Sequence, residues 1–139
     1  GILFPDYFSN NHKKNTHASL NHQLGIINYL FNAYIQTKNN EYKTVALTLL
    51  QTIENQYKNW IRDDKDLWYQ VSESGKYDRR DYKIVTLDDL LLTQQKLVEV
   101  RQKKSSIISK LIKSKYDYLK DINYNIPSYI VKQIENGDY

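Results

Sequence analysis

Apolar positions along the chain fall into four helical stripes. Leu20, Leu24, Ile27, Phe31 and Tyr34 recur at spacings of three and four, and Ile26, Leu30 and Ala33 widen the face. This predicts a helix over 18–37 that is buried on more than one side. Tyr42, Val45, Leu49, Ile53, Tyr57 and Trp60 give the stripe of a second helix over 41–60. Only Lys38-Asn39-Asn40 separates the two, a break short enough to force an antiparallel return. A third helix is predicted after Thr86, read as its N-cap, with Asp88 and Asp89 in the first turn and an end near Arg101. Beyond Lys103-Lys104-Ser105, Ile108, Leu111, Ile112, Tyr116 and Leu119 mark a fourth, and Pro127 opens a short helical turn to about Glu135.

The fold class is therefore all-α: two antiparallel α-hairpins in a single helical domain over 1–139. Hairpin 1 covers 17–60, an insert 61–85, hairpin 2 86–120 and a C-terminal tail 121–139. Within the insert, Leu67 to Val71 and Tyr82 to Val85 read as extended pieces joined around Gly75, a small β-hairpin. The lead-in over 1–16 has no periodicity and is expected to be anchored by Phe4, Tyr7 and Phe8. Only four Gly and two Pro leave little turn chemistry for an all-β alternative.

Composition narrows the function classes. The absence of cysteine excludes a disulfide framework, a thiolate metal site and a cysteine nucleophile. It agrees with export from a single-membrane bacterium, and an extracellular or cell-surface location is expected. No apolar run approaches the ~18–20 residues needed to span a bilayer, so no membrane span is expected. The chain starts at Gly1 and has no methionine, which reads as a piece of a longer protein whose remainder is an expected partner. The net charge is +4, but the 20 basic residues are interspersed with 16 acidic ones. That pattern describes solvated helix faces and not a nucleic-acid stripe.

The first and third helices begin alike. Ser19-Leu20-Asn21-His22-Gln23-Leu24 lines up with Thr86-Leu87-Asp88-Asp89-Leu90-Leu91, and each opens a helix, a polar break and a second helix. A tandem hairpin repeat would put both starts at one end of the bundle. That end would gather Asn21, His22, Asp88 and Asp89 beside Trp68 and Tyr69 of the insert. Polar groups next to aromatic rings suit a sugar, whose hydroxyls take directed hydrogen bonds while its C–H face packs on an aromatic plane.

The stretch from Ser19 to Leu97, with SLNHQLGIINYLFNAYIQTKNNEY, DLWYQV and TLDDLL in order, resembles an (α/α)-toroid carbohydrate-active protein. In particular it resembles the C-terminal helical domain of the glucuronyl 5-epimerases. The resemblance implies a toroid fragment that acts on or binds a polysaccharide, with the aromatic pair of the insert directed to the cleft. Tyr82 is followed here by Lys83, where the family has a Tyr-His pair. The other reading is a non-catalytic helical module that docks a protein.

Candidate catalytic residues are His22, Asp88 and Asp89, and candidate substrate-binding residues are Asn21, Trp68 and Tyr69. His22 could serve as a general base with an aspartate partner, or simply bond locally at a helix start. Asp88 and Asp89 equally complement the helix dipole, and Trp68 equally closes a core. Asp64 or Asp66 could supply a second carboxylate for glycoside chemistry. His12, His17 and His22 are spaced by five, whereas ligands on one helical face need three or four, so no metal site is expected. Nothing calls for a cofactor: no phosphate-cradling glycine loop, nucleophile elbow or dinucleotide fingerprint occurs.

Overall fold

The computed structural model describes residues 1–6 and 17–139; the expected anchors Tyr7 and Phe8, and His12, lie outside the described residues. A short strand β1 (Ala18–Ser19) leads into α1 (Leu20–Thr37). Then come α2 (Asn40–Asn55), the single turn α3 (Tyr57–Trp60), strands β2 (Trp68–Val71) and β3 (Tyr77–Arg80), α4 (Val85–Arg101), α5 (Ser106–Asp121) and α6 (Ser128–Glu135).

The helix α1 packs against both α2 and α4, and α4 packs against α5. The double contact explains the breadth of the α1 stripe, because Leu24, Ile27 and Phe31 are all sealed from water. A left-handed Lys38 ends α1 and donates its N–H to the Tyr34 carbonyl, and the Asn39 side chain accepts from Glu41 N to start α2. Leu49, Leu50 and Ile53 of α2, Leu87, Leu90 and Leu97 of α4, and Ile108, Leu111, Ile112 and Leu119 of α5 complete one core.

Helix dominates as expected, but a three-stranded antiparallel sheet in the order β1-β2-β3 accompanies it. Ala18 and Ser19 pair with Val71 and Gln70 and so stand outside the first helix. The partner of β2 is Tyr77–Arg80 and not Tyr82–Val85. The YDRR stretch lacks an apolar alternation; ionic and amide contacts hold it instead. Gln70 Nε2 donates to Asp78 Oδ1 at 2.8 Å, and Arg80 bonds Asp64 and Asp66 at 2.9 and 2.8 Å. Gly75, at φ +86, supplies the left-handed turn residue between the strands. Thr86 is not the N-cap of α4, which starts at Val85; its hydroxyl is committed to Asp81 Oδ1 at 2.5 Å. The second predicted helix divides at Gln56 into α2 and α3.

Residues 1–6 form a strap across α1 and α2. Alternate backbone N–H groups point inward: Ile2 N to Thr52 Oγ1, Phe4 N to Gln23 Oε1, and Asp6 N to the His17 carbonyl, at 3.0, 2.9 and 2.8 Å. The Gln23 amide also donates to the Phe4 carbonyl. One buried side chain thus satisfies both backbone groups of Phe4, as a neighbouring strand would.

Candidate functional site

Asp6 ends the strap above the first turn of α1, and its side chain is only 1% exposed. Its Oδ1 accepts from Ser19 N at 3.0 Å. Its Oδ2 lies 3.1 Å from His17 Nε2 and 3.0 Å from His22 Nδ1. Burial works to raise the Asp6 carboxyl, but the hydrogen bonds from Ser19 and the nearby His22 outweigh it and hold the group below its ordinary value. A charged Asp6 accepts from Nδ1 of His22, so that in the neutral imidazole the proton stays on Nδ1 and Nε2 is the acceptor nitrogen. Half of the His22 side chain is open to solvent.

Asp89 arrives from the first turns of α4. Asn28 of α1 locks the two helices there, donating from Nδ2 to the Asp89 carbonyl at 3.2 Å and accepting from Thr93 Oγ1 at 2.8 Å. The Asp89 carboxyl is pushed up to about 6 by burial and by the carboxylates of Asp88 and Asp81, with His22 acting in the opposite direction. A carboxyl raised this far stays partly protonated in mildly acidic solution, where an ordinary aspartate is ionised.

A groove of about 740 Å³ joins these groups, within the range of small-molecule sites. Asn21, His22 and Asp89 make its polar end, Phe4, Pro5 and Asp6 of the strap make one wall, and Gly25, Ile26, Tyr29 and Leu30 carry it along α1. Tyr29 is 72% exposed. Gly25 stands in mid-helix, where glycine costs about 1 kcal/mol relative to alanine. Among the described residues a Cβ there would meet no atom within 4 Å, so none of their packing contacts requires a glycine at this point.

Of the residues singled out in the sequence, Asn21, His22 and Asp89 meet in this groove. Tyr69 does not line it; its ring lies 6.2 Å from that of His17 and edge-on to Tyr82 at 5.5 Å. Burial and the neighbouring Tyr82 raise its phenol. Asp88 turns aside to accept the Tyr129 hydroxyl at 2.9 Å on each oxygen. Trp68 does not line the groove: the Arg62 guanidinium lies 4.1 Å from its ring centre, and the ring packs against the core. Asp64 and Asp66 are tied to Arg80, and Asp66 also to Lys115, so neither is placed as a second groove carboxylate.

Asp6, Gly25 and Tyr29 were not anticipated. The lead-in has no periodicity to place Asp6. For the other two the signal was present, because His22, Gly25, Ile26 and Tyr29 follow the i, i+3, i+4, i+7 pattern of one helix face. Among the described residues, no group of three or more His, Cys, Asp or Glu is arranged to hold a metal ion, and no helix is long and apolar enough to cross a membrane. No protein-family model matches the chain, and no curated protein or solved structure matches it either.

Proposed function

We propose that this chain is an α/α-toroid-like helical fragment that binds a polysaccharide segment in the groove between the residue 1–6 strap, α1 and the start of α4. One observation carries the reading. An oriented imidazole, a half-buried carboxyl raised to about 6 and an amide meet in a single groove with an exposed tyrosine. Hydroxyl groups suit the first three, and the C–H face of a sugar ring suits the fourth. The resemblance to the glucuronyl 5-epimerases supports the same substrate class, and such binding would take place outside the cell or at its surface. If the bound sugar reacts, His22 Nε2 is the group to accept a proton and Asp89 the group to donate one.

The test is calorimetric titration of the chain with a glucuronate-containing hexasaccharide and with cellohexaose, repeated on His22→Ala and Asp89→Asn. Saturable binding to either sugar, weakened about tenfold or more in both variants, is expected if each removes a hydrogen bond to the ligand. Absence of binding to both sugars would remove the proposal. In its place would stand a protein-docking role, which Val85 and Leu92 favour as exposed apolar residues seven apart on one face of α4.

A further inference from the structure

We infer that His22, Gly25 and Tyr29 form a sugar subsite on α1, in which a pyranose unit lies over the bare backbone at Gly25 with its C–H face against Tyr29. This deepens the polysaccharide reading and rests on it. His22 and Tyr29 stand seven residues apart, about 10 Å along the helix axis. Gly25 and Ile26 lie between them on the same face, and all four residues line the groove. That interval leaves room for a sugar ring between the imidazole and the phenol ring.

The glycine is the deciding feature. Gly25 is exposed, its backbone is helical, and an added methyl group would point into open space. Among the described residues, neither a turn nor a close helix contact accounts for it. By propensity alone, alanine would serve α1 better. A ligand that approaches the helix backbone does account for it, because a side chain at 25 would occupy the space in front of the ring. Tyr29 fits the same occupant. Its ring is the most exposed of the large hydrophobic side chains among the described residues, while Asn21, His22 and Asp89 supply polar partners for the hydroxyls at the other end. A wholly apolar occupant would desolvate those three groups and offer them no hydrogen bond in exchange.

The experiment uses Gly25→Ala, Gly25→Val, Tyr29→Ala and Tyr29→Phe in the full chain, with the same two hexasaccharides as probes. Gly25→Ala should raise the melting temperature while weakening sugar binding. Gly25→Val should weaken binding further. Tyr29→Ala should cost about tenfold in affinity, and Tyr29→Phe, which keeps the ring face, should cost little. Opposite movement of stability and affinity at residue 25 is an outcome that a structural glycine would not give. If wild type binds a hexasaccharide, His22→Ala weakens it, and the Gly25 and Tyr29 variants bind as wild type does, the subsite is overturned while the polysaccharide reading stands. If wild type binds neither sugar, both fall.

Discussion

Lys115 Nζ lies 2.7 Å from Asp66 Oδ1, and neither side chain reaches solvent. The same ammonium bonds Asp81 Oδ2 at 2.9 Å and the Tyr82 carbonyl. Arg80 reaches the other oxygen of Asp66 at 2.8 Å. Three donors from one lysine thus bind the two ends of the insert to α5, and with them the strand pair that supports β1 and the start of α1.

Replacement of Lys115 by methionine should therefore be among the most damaging single changes. It leaves the buried Asp81 without its cation and Asp66 with Arg80 alone, at a cost of about 3–5 kcal/mol. Urea denaturation measures this directly. Restoring neutrality with Asp66→Asn and Asp81→Asn in the Lys115→Met background should recover part of the loss. A single variant within about 0.5 kcal/mol of wild type would show that the network contributes nothing to stability.

Lys115 also shows where the sequence was legible and where it was not. The stripe read from the sequence runs Ile108, Leu111, Ile112, Tyr116 and Leu119; position 115 falls on the same face, but a lysine suggests water, and its burial is not read from the sequence. The four long helices follow from such stripes, since apolar burial is local in its periodicity. The pairing of β2 with Tyr77–Arg80 does not, because its specificity lies in contacts such as Arg80 to Asp66 that no spacing encodes. The site divides the same way. Asn21, His22 and Asp89 were found through the likeness of two helix starts, whereas Asp6 reaches His22 only because the strap folds back over α1.

Asp89 should impose a pH-dependent cost on folding. Its carboxyl titrates near pH 6 in the fold and near its ordinary 3.8 when unfolded. Between those values the fold holds the extra proton, so stability falls as pH rises, and the cost is complete above about pH 6. The substitution Asp89→Asn removes the charge. It should stabilise the chain by about 1–2 kcal/mol at pH 8, allowing for solvent screening of a half-buried group, and hardly at all at pH 4. Equal stabilisation at the two pH values would mean that burial does not perturb this carboxyl.

Trp68 should prove structural. With Arg62 over one face and the core nearby, its ring is not free to stack on a sugar. Trp68→Phe should leave hexasaccharide affinity within about twofold while lowering stability by about 1 kcal/mol through lost packing area. A tenfold loss of affinity with an unchanged melting curve would return Trp68 to the site.

Asp88 should be separable from its neighbour. Because it accepts the Tyr129 hydroxyl on both oxygens, Asp88→Ala frees α6 from the start of α4 without entering the groove. Amide exchange in 128–135 should quicken, and sugar affinity should stay put. If affinity falls as far as in Asp89→Asn, then Asp88 belongs to the binding end after all.

The strap supplies the most demanding case, since it connects a buried amide to the orientation of an exposed imidazole. Gln23 holds both backbone groups of Phe4, and two residues on, Asp6 carries the bond that fixes His22. Gln23→Met keeps the side chain long and apolar but removes both hydrogen bonds, a loss of about 1 kcal/mol for each. Phe4 and Asp6 amides should then exchange faster with solvent, while α5 amides, which lie in the core and depend on other contacts, should not. With the strap loosened, Asp6 no longer holds the proton of His22 on Nδ1, so the imidazole nitrogen resonances should report a mixture of tautomers. Sugar affinity should fall together with that change, although Gln23 itself is buried and its amide is committed to Phe4. Should Phe4 exchange quicken while Asp6 exchange and the His22 tautomer stay as in wild type, the Asp6 contacts alone hold this end of the strap, and Gln23 serves only to seat Phe4.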